Sequence, residues 1–324
     1  MRYFQTPIVA AATLALFPHF AFSQSAADYP AKPVRIIVGS AIGGGADQTA
    51  RMLAQKLDES MKGQFIVDNR PGGGDTIATG LTAKSPPDGY TLMVAGPSFT
   101  IAPSLYLKFL VDPVKDFAPI SLSTRAPLIL VAHPSLPVKS VREFIALAKS
   151  KPGAVNMAIT TASNSHFGTA YFASTANIKV TLVPYKGSGP SVVATVAGEV
   201  PSQIVNSLAV MSQVKSGRLR ALGVSSAERF SVLPEVPTIA ESGFPGFDVY
   251  SWYGWAAPAG TPAAILNKLS AELIKAVRFP DIVKRVADAG ADVVGSTPEQ
   301  FGKLIATEVA RWGKVTKELD IRVE

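Results

Sequence analysis

The sequence predicts an α/β fold in two lobes, and three features carry that prediction. Short apolar runs alternate with helical periodicity from Val34 onward. Each run ends in a glycine-containing or polar loop, and the alternation starts again after Leu122 without a sequence repeat. The chain's 324 residues, 47% hydrophobic and 17% charged, suffice for a large core and for two domains rather than one.

The first residues stand outside that core. MRYFQTP carries Arg2, an apolar run follows from Ile8 to Phe22, and Ala21-Phe22-Ser23 is a small-x-small cleavage pattern before Gln24. The run is short of the ~20 residues that span a bilayer and is broken by Pro18 and His19, so residues 1–23 read as a secretory signal peptide. No cysteine is present, which excludes both a lipidated N-terminal cysteine and disulfides. The net charge of +7 is spread, with no run of Lys and Arg longer than two, and with export this argues against nucleic acid as a partner.

VRIIVG is a short buried strand; after the loop SAIGGGAD, residues Ala50, Leu53, Ala54, Leu57 and Met61 recur at helical spacing. FIVDN is a second strand, leading through NRPGGGDT to a short helix near Ile77 to Lys84, and PPDGYTLMVAG turns at Asp88-Gly89 into a third. This order is the signature of a parallel sheet covered on both faces. In the second unit LILVAHP is a strand, SVREFIALAKSKPG a helix with Ser140 and Glu143 as a capping box, and VNMAIT, VTLVPYKG, PSQIVN and LRALGVS are further strands, with a helix near Pro190 to Ala197. Two closing helices start at Thr261-Pro262 and at Thr297-Pro298 with Gln300, each read as a threonine cap with proline in the first turn. The C-terminal helices are expected to return to the first lobe, which places residues 24–123 and 250–324 in one lobe, 124–249 in the other, and a hinged cleft between them.

Catalytic patterns are weak. Beyond the signal only His133 and His166 remain, and neither sits in a nucleophile–base setting. G-x-S-x-G, H-E-x-x-H and calcium-loop patterns do not occur, and the S-x-x-K formed by Ser212 and Lys215 is a chance-level match. No catalytic residue, metal or cofactor is expected. The alternative is a secreted α/β hydrolase or transferase acting on a carboxylate derivative.

IGGGADQ fits neither a dinucleotide fingerprint nor a phosphate loop, although Asp68 stands at roughly the dinucleotide spacing. A loop running from a strand's carboxyl end into a helix leaves backbone N–H groups unpaired and aims the positive end of the helix dipole outward. NRPGGGDT offers a second such surface at the neighbouring strand end. Two adjacent glycine triplets therefore point to an anion held by backbone, with Asp47 as a helix cap.

The segments YPAKPVRIIVGSAIGGGAD, DNRPGGGDTIATGLTAKSPPDGYTLMV, DPVKDFAPISL, VPYKGSGPSVVATVAGEV, GRLRALGVSSAERFSVLPEVPTIAESGFPGF and WYGWAAPAGTP, in that order, resemble the Bug-type receptors, the periplasmic binding proteins associated with tripartite tricarboxylate transporters. The resemblance runs from about Tyr29 to the C-terminal helix. It implies a two-lobed periplasmic binding fold, type II-like, that closes on a small carboxylate, among which di- and tricarboxylates, acidic amino acids and aromatic acids occur in the family, and a dicarboxylate is the leading expectation. It implies a periplasmic monomer serving membrane transporter subunits or a sensor kinase. In this sequence the implied ligand contacts are Ala41, Ile42 and Gly43; Gly73, Gly74, Asp75 and Thr76; and Ser98, Phe99 and Thr100 from the first lobe. The second lobe is implied to supply Thr161, Asn164, Ser165 and His166, then Tyr185 and Lys186, and Asn206. Val205 stands where relatives often carry an acid, which argues against an amino-acid ligand, and Gly39-Ser40-Ala41-Ile42 replaces the family's usual Pro-Phe-Ala-Pro. Phe99 and Phe167, inside the implied binding loops, keep a flat aromatic acid open as ligand, while Tyr171 and Trp252 read as packing.

Overall fold

The computed structural model describes residues 28–106 and 109–318, so the expected signal peptide at 1–23 lies outside the described residues. Three strand–helix pairs open the chain: β1 (Val34–Val38) and α1 (Gly45–Met61), β2 (Phe65–Asn69) and α2 (Thr76–Ala83), β3 (Thr91–Ala95) and α3 (Pro97–Leu105). A long strand, β4 (Phe117–Ala132), carries the chain into α4 (Val141–Ser150), β5 (Asn156–Thr160), α5 (Asn164–Thr175), β6 (Thr181–Tyr185), α6 (Ser188–Val196), β7 (Ser202–Asn206), α7 (Ser207–Lys215) and β8 (Arg220–Val224). It returns in β9 (Tyr250–Pro258) and ends with α8 (Ala263–Ala276), α9 (Pro280–Asp288), β10 (Asp292–Val293) and α10 (Pro298–Glu318).

The main sheet path runs β2-β1-β3-β9-β4-β7-β5-β6. Both wings are parallel, β1 with β2 and β3, and β5 with β6 and β7. The centre corrects the expectation of mainly parallel sheets, because β9 runs antiparallel to β3 and β4, and β4 antiparallel to β7. β4 is the crossing: it pairs with β9 through Pro127 and with β7 from Leu128 onward. Register shifts fall between Pro119 and Ser121 and between Leu122 and Thr124. Prolines lack the N–H that a ladder needs, which is why the sequence pattern shows only the LILVA half of this strand. The boundary expected after residue 123 therefore falls inside β4, and Tyr250, opposite Pro127, marks the return.

Ile36, Leu53, Leu92, Trp255 and Leu269 belong to one core, and Phe144, Met157, Phe172, Ile204 and Leu222 to another. Helix α10 divides between lobes rather than simply returning to the first. Its Phe301 and Ile305 pack with Trp252, whereas Trp312 and Val315 join the second-lobe core, with Trp312 edge-on to Phe167 at 5.6 Å. Gly254 admits the Phe301 ring, since a Cβ there would collide with it.

The caps follow side-chain chemistry. Ser140 accepts from the Glu143 amide at 3.2 Å, and the Glu143 carboxylate accepts from the Lys139 amide at 2.7 Å. Thr297 and Gln300 close a reciprocal box at 3.2 and 3.0 Å. Thr261 is not a cap: its hydroxyl donates to the Pro258 carbonyl, and α8 starts one residue later than expected, with Pro262 at the cap position.

Candidate functional site

Because β1, β2 and β3 are parallel, the helices that follow them, α1, α2 and α3, all begin at one edge of the sheet. The parallel β5, β6 and β7 bring the starts of α5, α6 and α7 to one edge of the other wing. These two edges meet. Ser98 Oγ donates to the Ala162 carbonyl at 3.4 Å, and Asn206 Nδ2 donates to the Tyr253 hydroxyl at 3.4 Å. A Cβ on Gly74 would stand 3.2 Å from Ala162 Cβ. The cleft is thus closed, with the positive ends of several helix dipoles around it.

The first glycine loop is tied down by Asp47. This buried carboxylate accepts from the Gly43 amide at 2.9 Å, from Arg51 Nε at 2.9 Å and from Asn69 Nδ2 at 3.0 Å. It reaches back past Gly44, the residue at the cap position, so Asp47 is a loop clamp rather than a cap. Gly43 is corrected as a ligand donor, since its N–H already serves Asp47. Ala41 and Ile42 remain open to solvent, Ile42 with 78% of its surface exposed.

The second loop is a left-handed turn. Gly73, Gly74 and Asp75 have φ of +56°, +57° and +69°, a region where glycine carries no steric cost. Among the described residues their amides donate to no protein acceptor, while Thr76 N–H donates to Gly73 O at 3.3 Å. The half-buried Asp75 carboxylate lies against Gly39 at the end of β1, where any Cβ would strike it. Burial pushes this carboxyl up to about 6. Burial also raises the Tyr106 and Tyr253 hydroxyls, with the Asp75 charge adding to both.

From the second lobe, the segment TTASNSHFG is the start of a helix rather than a loop. Ser163 caps α5 by accepting from the Ser165 amide at 3.2 Å, which sets Asn164 and His166 in the first turn. Asn164 Nδ2, His166 Nδ1, Thr160 Oγ1 and, from the first lobe, Ser40 Oγ are buried atoms without a hydrogen-bond partner. Buried orphan atoms also occur away from these loops, on Gln203, Trp252 and Trp255 among others, so these four are candidate contacts because of where they sit, at helix starts and strand ends. Burial holds the His166 imidazole below its usual range, keeping it neutral.

Other expected contacts are committed elsewhere. Phe99 is fully buried edge-on to Phe117 at 4.8 Å, and Phe167 packs on Trp312, so both rings serve the cores rather than a flat ligand. The Thr100 hydroxyl donates to Pro97 O at 2.9 Å, and Ser165 Oγ to Ile204 O at 2.5 Å. Asn206 Oδ1 caps α7 through the Leu208 amide at 2.9 Å, leaving its Nδ2 on Tyr253. Tyr185 is half-buried opposite Thr160 on the edge strand; Thr161 and Lys186 are exposed. Sequence reasoning did not single out Thr160, nor Tyr106 and Tyr253, which stand beside Gly74 and Asn206. Thr160 ends a strand and was within reach of the pattern, whereas nothing local marks a tyrosine on a crossing strand.

The arrangement lacks a catalytic constellation. His133 Nδ1 lies 2.7 Å from Ser135 Oγ, but the pair is exposed, closes its own turn through the Ser135 amide and has no carboxylate behind it. Among the described residues no His/Cys/Asp/Glu group could hold a metal, and no helix is long and apolar enough to cross a membrane.

Residues 49–321 match the model of the tripartite tricarboxylate transporter family receptor. Protein BugT of Bordetella pertussis is 38% identical over 307 residues, covering 93% of each chain. A solved R. palustris protein with adipate superposes with a TM-score of 0.85 at 33% identity, covering 91% of this chain and 100% of that one. MatC from Rhodopseudomonas palustris with bound malate superposes with a TM-score of 0.81 at 32% identity, covering 89% of this chain and 99% of that one.

Proposed function

From its membership in the tripartite tricarboxylate transporter receptor family, the periplasmic solute-binding receptors to which this chain belongs, we propose that it captures a small aliphatic dicarboxylate and hands it to a membrane transporter. One observation supports the ligand class: Ser40, Thr160, Asn164 and His166, on the loops and helix starts where the two lobes meet, carry buried polar atoms without a hydrogen-bond partner. With the unpaired amides of Gly73, Gly74 and Asp75 they would form a hydrogen-bonding cage in which helix dipoles rather than lysine or arginine supply the positive potential, with the Asp75 carboxyl beside it. Adipate and malate in the two similar structures support an aliphatic diacid. The core positions of Phe99 and Phe167 weigh against an aromatic one. The expected contacts Ala41, Ile42, Gly73, Gly74, Asp75, Thr76, Ser98, Asn164 and His166 stand as the proposed site. A sensor kinase is the alternative recipient of the loaded receptor.

A thermal-shift screen of malate, succinate, adipate, pimelate, citrate, benzoate and phthalate tests this reading, because a ligand that binds only the folded state raises its melting temperature by mass action. Aliphatic diacids are expected to shift it and benzoate to leave it unchanged. Silence from every acid would refute the receptor reading.

A further inference from the structure

We propose that Asp75 makes this receptor a proton-coupled one: it binds a dicarboxylate together with one proton, which Asp75 and a ligand carboxylate share. The inference rests on the dicarboxylate reading above and adds the protonation state that the site selects. Asp75 sits at the start of α2, its carboxylate over Gly39 and its neighbour Gly74 against Ala162 of the other lobe. It therefore lies inside the closure, beside the amides proposed to hold the ligand. Among the described residues its carboxylate has no hydrogen-bond or ion-pair partner, while its carbonyl accepts from the Thr79 amide at 2.9 Å.

Among the described residues no lysine or arginine pairs with it, so the only positive potential it feels is that of the start of α2. The loop's own Arg70 pairs with Asp68 at 2.9 Å, and Arg51 with Asp47 at 2.9 Å. The end of β1 packs Gly39 against it, and the loop before α5 brings Ala162 to the neighbouring Gly74, neither of which titrates. The titratable groups that feel its charge are Tyr106, following α3, and Tyr253 on β9. Both phenols are raised, so they stay neutral and can donate but cannot neutralise. A diacid arriving as a dianion would set a second carboxylate beside this one in a water-poor cleft. Two like charges at such range do not both stay ionised; one site takes up a proton from solvent, as in paired carboxylates generally. No covalent bond changes: the proton moves from water or buffer onto the carboxyl–carboxylate pair and leaves with the ligand. The raised Asp75 value, about 6 with the site empty, points the same way.

The test is calorimetric titration of adipate and malate into the intact mature protein at pH 7.0, 8.0 and 9.0, in buffers of different ionisation enthalpy. Both acids are fully ionised there, so their own titration does not intrude. Wild-type affinity should fall about tenfold per pH unit, with close to one proton taken up per ligand. Asp75→Asn is the matched variant, because asparagine tolerates the left-handed conformation and offers an amide N–H in place of the O–H that a protonated carboxyl would donate. It should bind with a pH-independent affinity, at least about tenfold tighter than wild type at pH 8.0, with no proton uptake. Flat wild-type affinity without proton uptake would overturn the proposal and leave the receptor reading standing. Weaker binding by Asp75→Asn without proton uptake would also overturn it, assigning Asp75 to a ligand hydroxyl or ammonium. No binding of any acid by either protein at any pH would sink both readings together.

Discussion

Gly74→Val tests whether the loops grip by closing on each other. Gly74 has φ +57°, where an L-residue costs about 1–2 kcal/mol, and that cost falls on open and closed forms alike. The closed form bears an additional one. A Cβ at Gly74 stands 3.2 Å from Ala162 Cβ of the other lobe, inside the ~3.5–4.0 Å optimum for carbon contacts. Valine adds two methyl groups beyond that Cβ, so the walls must part. Overpacking of this kind costs about 1–3 kcal/mol, here on the closed form alone, which weakens binding by roughly 5- to 150-fold. Calorimetry with the diacid that gives the largest thermal shift reads the affinity, and small-angle scattering reads the compaction that ligand produces. Adding Ala162→Gly should restore much of the loss, because it removes the opposing methyl and relieves Ala162's own positive φ of 56°. Wild-type affinity and compaction in Gly74→Val would refute the reasoning, as would an Ala162→Gly partner that restores nothing.

Three further outcomes follow from the same geometry. Asn164→Ala should weaken diacid binding about tenfold by removing a buried donor, whereas Lys186→Ala, exposed at the sheet edge, should change it less than about twofold; calorimetry ranks the two. His166 is neutral in the fold, so the unfolded chain takes its proton first; stability is unaffected above about pH 6.5 and declines as pH falls toward the lower folded-state value. Urea denaturation at pH 7.5 and 5.5 should show that decline shrink in His166→Gln. Thr297→Ala breaks the box that starts α10 and should cost about 1 kcal/mol in the same assay without changing diacid affinity.

What the sequence determined by itself was local. Short apolar runs at VRIIV and NMAIT read as buried strands and FIVDN as a strand that turns out to lie at the sheet edge with only Phe65 buried, and the boxes at Ser140 and Thr297 satisfy their helix ends with side chains three residues apart. The glycine run Gly72 to Gly74 likewise announces a backbone that L-residues avoid, hence a loop built to bring amides close to something. Contacts between distant segments were decided only by the tertiary structure. The course of β4 was hidden because its prolines mimic loop, and only the partners β9 and β7 keep it extended. The first turns of α3 and α5 read as loops because Pro97, Ser163 and Asn164 are turn formers as well as helix starters. Whether Phe99 faces a ligand or a core depends on Phe117, and whether Gly43 offers its amide depends on an aspartate one helical turn away. Asp75 illustrates the division. Its neighbours in sequence mark an anion loop, but its lack of any cation and its place over Gly39 emerge only when two strands and two lobes are brought together, because charge compensation is a property of space rather than of chain order.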